Sequence, residues 1–241
     1  MTTDLKDLWI EAFGDSRSFV DNFFATGFSP ERCRYIRTEQ QLACALYWFD
    51  VTCAGEKLAY LYAVATAKNL QNKGYCRRLL HHTHQQLKRQ GYTGALLVPG
   101  DERLLHFYRK LGYRVCSCVR EFTCHADGAI PLRCIPKSEY AALRNKFLPA
   151  NAVVQTGPTL DFLGTFCSFF AGDGWLLAGS IHQGVLQVQE FLGDSRFAPA
   201  ITATLGAKIG HFRTPGTEKP FAMYYPLQDA PAPQYFGLAL D

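Results

Sequence analysis

The sequence predicts an α/β protein of the α+β kind. Runs of strand length, rich in apolar, aromatic and β-branched residues, alternate with stretches whose apolar residues recur at helical spacing. A strand, a polar turn and a helix follow one another near the middle of the first half, and a similar order of helices and strands returns after residue 127. With 241 residues, of which 48% are hydrophobic and 19% charged, the chain can bury one large or two modest cores.

The N-terminal part is predicted to form two amphipathic helices and then two strands. Leu5 to Phe28 contains two apolar stripes, and Asp15 or Ser16 can cap the second helix. Strands are expected from Cys33 to Arg37 and from Gln41 to Cys53, after which a turn at residues 54–56 leads into the next strand. The aromatic side chains of the helical region, interpreted mainly as core, are Trp9, Phe13, Phe23, Phe24 and Phe28.

A strand, a turn and a helix between residues 58 and 91 form the central element of this half. Leu58 to Thr66 is a continuous apolar run, and the sequence then becomes abruptly polar as far as Gly74. From there the apolar residues fall on one face of a helix that Gly91 would close. The residues on that face are Cys76, Leu79, Leu80, Thr83 and Leu87.

The charges within this element indicate an anionic ligand. A helix N-terminus favours acidic residues, yet the turn and the first helical turn contain Lys73, Arg77 and Arg78. Between Leu58 and Gly100 there are six positive charges and no Asp or Glu, although the whole chain carries only +4. Backbone N–H groups at a helix start, a glycine and nearby cations together make a cradle for a phosphate or pyrophosphate. From the charges alone, a solvated basic helix face is an equally good interpretation.

Two motifs in this region resemble signatures of one enzyme family. Residues 71–76, QNKGYC, resemble the Gln/Arg-x-x-Gly-x-Gly/Ala loop of the GCN5-related N-acetyltransferases, with Cys76 where Gly or Ala is usual. A short strand from Ala95 to Val98 and a helix capped by Asp101 lead to the second motif, Phe-Tyr-x-x-x-Gly-Tyr, in which Gly112 closes the helix. The family fold is a mixed central sheet flanked by helices, so the resemblance implies that arrangement here.

The resemblance also implies a cosubstrate, a reaction and a set of site residues. The cosubstrate is acetyl-CoA, and the reaction is direct transfer of its acetyl group to a primary amine, with Tyr108 protonating the departing thiolate. The pantetheine arm would lie beside the central strand, and the pyrophosphate would lie at the helix start. The cofactor-binding residues implied are Ala63, Val64, Thr66, Gln71, Asn72, Lys73, Gly74, Tyr75, Cys76 and Arg77.

The general base and the class of function remain open at this stage. Glu56 at the start of the central strand, a water relay and the carboxylate of Asp241 are alternative bases. A CoA-binding regulatory or scaffold protein without acyl transfer is the alternative function. A dinucleotide-binding protein is disfavoured because Gly-x-Gly-x-x-Gly and a following acidic residue are lacking.

The second half is predicted to be a degenerate copy of the first domain, which gives domains at residues 1–126 and 127–241. Helices are expected at 138–147, capped by Ser138, at 160–170 and at 198–205. The turn at residues 192–196 lacks Gln-x-x-Gly and carries an acid, so CoA binding is not expected there. Strands are expected at 113–124, 175–181, 185–191, 208–213, 221–226 and 235–240.

Composition and cysteine usage exclude several other classes. No apolar run approaches the length of a membrane span and the start lacks a signal sequence, so the expectation is a cytoplasmic protein without a membrane partner. The nine cysteines show no zinc spacing and are expected to be reduced thiols, and no metal is expected. His81, His82 and His84 are expected to face solvent. The expected partner is a small-molecule or peptide amine, without nucleic acid, and a homodimer is left open.

Overall fold

The computed structural model describes residues 2–240 and divides the chain into two compact units. The first unit contains residues 2–114, 157–162 and 224–232, and the second contains 115–156, 163–223 and 233–240. The domains 1–126 and 127–241 stay a prediction, and these units divide the chain at other places. Residues 115–125 belong to the second unit because they pair with a strand there, from Ile209↔His125 to Pro215↔Val119.

The first unit begins with the two predicted helices, and its other helices follow a strand each. Ser16 caps the second helix by accepting a hydrogen bond from the Phe19 backbone N at 3.2 Å, whereas Asp15 accepts one from Trp9 Nε1 at 2.7 Å. Of the two predicted caps, Ser16 is therefore the one used. The helices are α1 Thr2–Phe13, α2 Arg17–Thr26, α3 Tyr75–Arg89 and α4 Glu102–Lys110.

The sheet of the first unit is mixed, as the fold class predicts. Its order is β1-β2-β3-β4, where the first three strands are antiparallel and β3 and β4 are parallel. Helices α1 and α2 cover one face through an aromatic core that includes Trp9, Phe23 and Tyr47. The strands are β1 Cys33–Arg37, β2 Leu42–Cys53, β3 Glu56–Thr66 and β4 Gly94–Leu97.

A late segment of the chain completes the first unit beside β4. Tyr224 donates a hydrogen bond from its hydroxyl to the Thr93 carbonyl at 3.3 Å, and Leu227 N donates to the same carbonyl at 3.0 Å. A Cβ at Gly94 would come within 2.0 Å of the Tyr224 ring, so a glycine is required there. The tertiary packing of unit 1 therefore depends on residues far along the chain.

The strands of the second unit also run in mixed directions, and the unit has its own core. Strand order is β11-β5-β10-β9-β8-β7-β6, and β9 and β10 are parallel. Trp175, Phe191 and Phe212 are among its fully buried core residues. The elements, with α6 shared between the units, are β5 Arg114–His125, β6 Arg133–Cys134, α5 Lys137–Phe147, α6 Pro158–Leu163, β7 Ser168–Gly172, β8 Trp175–His182, β9 Val185–Leu192, α7 Ala198–Thr204, β10 Ile209–Pro215 and β11 Lys219–Pro226.

Three local predictions for this half are wrong. The helix expected at 160–170 ends at Leu163, and Ser168–Gly172 is a strand because Phe169 and Ala171 are buried in alternation with more exposed neighbours. The segment 235–240 is not a strand, although Tyr235 forms an isolated bridge with Ala152. Helix α5 begins after Pro136, without a side-chain cap from Ser138.

The C-terminal segment 235–240 is buried within the second unit. Ser117 Oγ accepts a hydrogen bond from Phe236 N at 2.9 Å and donates one to Phe236 O at 3.0 Å. Gln155 Nε2 donates to the Leu238 carbonyl at 2.8 Å, and Leu240 is 1% exposed. Asp241, an alternative base, lies outside the described residues.

A buried ion pair lies at the centre of the second unit. Arg144 on α5 donates to both carboxylate oxygens of Glu190 on β9, at 2.6 and 2.8 Å, and both side chains are at most 1% exposed. The hydroxyls of Tyr140 and Tyr235 donate to the same carboxylate at 3.2 and 3.0 Å. These hydrogen bonds offset the cost of burying two charges.

Candidate functional site

Strand β3 separates from β4 over the second half of its length. The two strands pair at Leu58↔Gly94, Ala59↔Ala95 and Tyr60↔Leu96, and within residues 2–240 no later β3 residue pairs with β4. On the other side of β3 the register with β2 shifts, because two residues of β3 lie between the pairs Tyr47↔Tyr62 and Ala45↔Ala65. This shift is a β-bulge.

The bulge contains Ala63 and Val64, which are two of the three residues expected beside the pantetheine arm. Ala63 has a φ of 46°, in the left-handed region that residues with a Cβ rarely adopt, and Val64 follows it. Tyr62, Ala63, Val64 and Thr66 are only half-buried, whereas Leu58 to Leu61 are fully buried. The separated edge of β3 therefore offers backbone and side-chain groups that a ligand can reach.

The predicted anion cradle lies at the start of α3. A short 3₁₀ turn and the exposed residues Gln71, Asn72 and Lys73 lead to Gly74, which is the N-cap of α3 with a φ of 81°. A Cβ at Gly74 would have no neighbour within 4 Å, so glycine is needed for its backbone angle and not for lack of space. No side chain caps this helix start, which leaves its first N–H groups available to a ligand.

The cations of the cradle are not used in ion pairs. Lys73, Arg77 and Arg78 are exposed, and within residues 2–240 none of them forms a salt bridge. The helix has no acidic residue in its first turn that could balance the macrodipole. An anion at this position would therefore be stabilised both by the partial positive charge of the helix N-terminus and by the positive charges of these side chains.

Cys76, where the family motif has Gly or Ala, is accommodated on the sheet side of α3. On β2, Cys44 Sγ accepts a hydrogen bond from Thr66 Oγ1 at 3.2 Å. The neighbouring thiol of Cys44, together with burial, raises the pKa of Cys76. The thiol of Cys76 lowers the pKa of Cys44.

Tyr108 is held by a well-capped helix. Asp101 begins α4 by accepting a hydrogen bond from Leu104 N at 2.7 Å, and Gly112, with a φ of 96°, follows its end as predicted. The Tyr108 ring is 6% exposed and lies edge-on to Tyr113, with ring centroids 5.5 Å apart. Burial raises the pKa of Tyr108 above its usual value of 10. Within residues 2–240 its hydroxyl forms no hydrogen bond, so the proton remains available to a ligand.

The expectation that His84 faces solvent is wrong. His81 and His82 are exposed, but His84 is 8% exposed, with Nε2 2.7 Å from the Tyr113 hydroxyl and its ring stacked on Tyr225 at 4.2 Å. Burial lowers the pKa of His84 to about 4, so the imidazole is neutral at pH 7. Its spacing from Leu80 and Leu87, four and three residues away, already places it on the apolar face of α3.

Glu56, the other base candidate on the chain, is not brought to the site. It lies exposed at the hairpin end of β3, paired with Cys53. Ala63 is seven residues further along the strand, which corresponds to about 23 Å. Glu11 of α1, which no motif indicates, lies nearer this end of the strand, because its Oε1 accepts a hydrogen bond from Lys68 N at 2.9 Å, just beyond the end of β3.

The candidate site combines the bulged edge of β3, an uncapped helix start beside exposed cations, and the buried Tyr108. Residues 2–116 match the family model described as an acetyltransferase (GNAT) domain. Residues 2–116 are therefore similar to the GCN5-related N-acetyltransferases, as the two motifs indicate. A search of curated proteins gives no match.

Solved structures show that the fold extends over nearly the whole chain. A GCN5-related N-acetyltransferase from Kribbella flavida aligns with a TM-score of 0.69 and 14% identity, over 94% of this chain and 70% of its own. Eis1 from Mycobacterium abscessus aligns with 0.67 and 10%, over 92% and 70%. A tandem GNAT protein from the clavulanic acid biosynthesis pathway aligns with 0.58 and 9%, over 95% and 96%. At these identities the likeness concerns the fold alone.

No helix within residues 2–240 is long and apolar enough to cross a membrane. Over the same residues, no cluster of three or more His, Cys, Asp or Glu side chains is arranged to hold a metal ion.

Proposed function

We propose that this chain is an acetyl-CoA-dependent N-acetyltransferase that moves an acetyl group to a primary amine by direct transfer. The observation that carries the proposal is the pairing of two backbone features in one strand–turn–helix element. Ala63 bulges β3 where it separates from β4, and Gly74 opens α3 with a positive φ and three unpaired cations nearby. A ligand with an extended arm and a pyrophosphate fits both features at once.

The residues present are suited to acetyl-CoA. Ala63, Val64 and Thr66 would hold the pantetheine arm along the open edge of β3. The pyrophosphate would be held by backbone N–H groups and cations of residues 71–77, with Gly74 at the start of the helix. When bound, acetyl-CoA supplies an acetyl group in a thioester, which a neutral amine can attack.

The chain contributes positioning and a proton. Because burial raises the pKa of Tyr108, its hydroxyl keeps its proton at all pH values below about 10. The hydroxyl can then donate this proton to the departing thiolate of CoA. Backbone N–H groups near the bulge would stabilise the oxyanion that forms on the carbonyl. Glu56 lies too far along β3 to act as the base, so the amine loses its proton through water or arrives neutral from solution.

The acceptor is proposed to be a small molecule or peptide with a primary amine. Half-buried aromatic side chains of the first unit that an acceptor could contact include Phe24, Phe28 and Tyr62. The aromatic residues Trp9, Phe23 and Tyr47 pack mainly on one another, which supports their interpretation as core.

Isothermal titration calorimetry with acetyl-CoA and with CoA tests the cradle directly. Gly74→Glu places a carboxylate at the helix start and should abolish binding. Gly91→Glu is a matched control, because Gly91 follows the end of α3 with the same φ of 81° and equally open surroundings. Both variants carry the same backbone strain and the same added charge, so a loss confined to Gly74→Glu identifies the cradle.

The outcomes separate the proposal from its alternative. Binding by the unsubstituted protein, loss in Gly74→Glu, and acetylation of amines in a substrate screen would support the enzyme. Binding without turnover of any amine would favour a CoA-binding regulatory or scaffold protein. Equal binding by both glutamate variants would contradict the cradle.

A further inference from the structure

Six aromatic rings from the α1–α2 region, β2 and β3 lie in contact in the first unit and differ in their exposure. Three of them are at most 2% exposed, namely Trp9, Phe23 and Tyr47. The other three are half-buried, namely Phe24, Phe28 and Tyr62, and we call these the aromatic rim. The rim therefore rests on buried rings and leaves part of its aromatic surface accessible to a ligand.

The aromatic rim is continuous with the bulged edge of β3. The ring centroids of Phe24 and Phe28 are 4.7 Å apart, and they lie 5.9 and 6.1 Å from the ring centroid of Tyr47. Tyr47 is paired with Tyr62 in the β2–β3 register, and Tyr62 directly precedes Ala63. An aromatic group on the rim would therefore lie beside the strand segment at which acetyl transfer is proposed.

The acidic side chains of residues 2–28 are already engaged with other groups of the protein. Three of the five form ion pairs, which are Asp4–Arg37, Asp7–Arg17 and Asp21–Lys6. The other two, Glu11 and Asp15, accept hydrogen bonds from Lys68 N and Trp9 Nε1. Lys6 also places its ammonium 5.2 Å from the centroid of the Phe24 ring. A polyamine or another polycation would therefore meet engaged carboxylates and a positive charge beside the rim.

We propose that the acceptor is an arylalkylamine, with its aromatic ring packed on the rim and a short alkyl chain leading to a single primary amine at the bulge. This inference rests on the proposed function and narrows its acceptor to one chemical class. Aromatic rings favour edge-on and offset packing, and the rim already meets the buried rings of Trp9, Phe23 and Tyr47 edge-on. The ring of the acceptor would continue this packing.

The transfer balances without a further reagent. The amine nitrogen forms a bond to the acetyl carbon, the C–S bond of the thioester breaks, and the sulfur takes a proton from Tyr108. The nitrogen loses one proton through water, and that proton restores Tyr108. The products are the N-acetyl amine and CoA. Because the attacking amine is neutral, the reacting group needs no carboxylate partner.

The test measures acetylation of three primary amines by the full chain. The amines are phenethylamine, butylamine, which has no ring, and spermidine, which is a polycation. The product is quantified by mass spectrometry, because nine cysteines interfere with thiol reagents. We expect kcat/KM for phenethylamine to exceed the values for the other two at least about tenfold, because burial of the ring adds binding energy. Calorimetry with phenethylamine, in the presence and absence of CoA, measures binding independently of turnover.

Leucine variants make the test specific. Phe28→Leu keeps an apolar side chain but removes a ring of the rim, so KM for phenethylamine should rise about fivefold with kcat and acetyl-CoA affinity unchanged. Phe24→Leu provides a second variant of the rim, so the comparison does not depend on one substitution. Phe13→Leu is the matched control, because Phe13 is 48% exposed and its ring contacts Trp9 and no ring of the rim within residues 2–240. KM should be unchanged in this control.

The outcomes distinguish this inference from the proposed function. Equal kcat/KM for phenethylamine and butylamine, a preference for spermidine, or equal KM changes in the Phe28 and Phe13 variants overturns the arylalkylamine class. A protein that binds CoA but shows no saturable binding of phenethylamine overturns the inference alone. Binding of phenethylamine that is weakened by Phe28→Leu, without acetylation of any amine, supports the aromatic site and contradicts the proposed transfer.

Discussion

Tyr108 combines a buried ring with a hydroxyl that has no partner among residues 2–240. Replacement by phenylalanine keeps the ring packing against Tyr113 and removes only the proton donor. We expect Tyr108→Phe to lower kcat about 10²-fold or more, the range for one general acid, with acetyl-CoA affinity nearly unchanged. Steady-state kinetics and calorimetry measure the two quantities.

Tyr113→Phe is the control, because it removes a buried hydroxyl from the same cluster without touching the proposed donor. Its kcat should stay within a few-fold of the unsubstituted value. If Tyr108→Phe turns over normally, Tyr108 has no part in the proton transfer.

His84 makes stability depend on pH. Its folded-state pKa of about 4 lies below the ordinary value of 6.5, so the unfolded chain binds the extra proton first. This contribution to the free energy of unfolding is complete above about pH 6.5 and is lost as pH falls toward 4, with an upper limit of about 3 kcal/mol.

His84→Gln should therefore flatten the dependence of stability on pH between 6.5 and 4.5. Glutamine keeps a polar partner for the Tyr113 hydroxyl but cannot titrate. Urea denaturation at several pH values provides the comparison, and the carboxylates contribute equally to both proteins. Identical slopes would show that His84 is protonated as easily in the folded state as in the unfolded chain.

At the scale of elements, the Arg144–Glu190 pair joins α5 to β9 at the centre of the second unit. Glu190→Gln leaves the Arg144 guanidinium buried without its counter-charge, which we expect to cost about 3–5 kcal/mol of unfolding free energy. The double variant Arg144→Met, Glu190→Leu should cost less, because no unpaired charge remains. Urea denaturation measures both.

The exposed pair Arg133–Glu139, at 2.9 Å, is the matched control. Glu139→Gln should cost no more than about 1 kcal/mol, since water screens that pair. Equal losses for the two glutamine variants would mean that the buried pair is no more important than a surface one.

Helices and strands with a strong hydrophobic periodicity could be predicted from the sequence. Features that depend on the register between paired strands could not. The ends of β3 and α3 could be predicted to within a residue or two. They follow from the apolar run of β3, the polar turn after it and the apolar stripe of α3. The bulge at Ala63 depends on where β2 pairs with β3, which local sequence does not encode. His84 was misplaced because its polarity outweighed its helical position in the prediction.

At the scale of the molecule, the two motifs were sufficient to predict the fold, but the contacts that complete each unit are nonlocal. Residues 157–162 return to the first unit more than forty residues after Arg114. Residues 224–232 return to it more than a hundred residues after Arg114. No periodicity signals such a return. The role of Gly94 likewise becomes clear only from the Tyr224 ring that covers it.

A fragment consisting of residues 1–126 should therefore not fold on its own. It lacks the segment that donates to the Thr93 carbonyl and the Tyr225 ring that stacks on His84. We expect no cooperative thermal transition by circular dichroism for the fragment, in contrast to the full chain. A sharp transition in the fragment would show that the late segment is dispensable.

The late arrival of residues 224–232 also has a consequence for synthesis on the ribosome. About 110 residues separate Arg114 from Tyr224, and at 5–20 residues per second their translation takes roughly 5–20 s. Throughout that interval the nascent first unit has an open sheet edge at β4 and an uncovered His84. Chaperones that shield unpaired strand edges would be needed most during this interval, before the polypeptide is released from the ribosome.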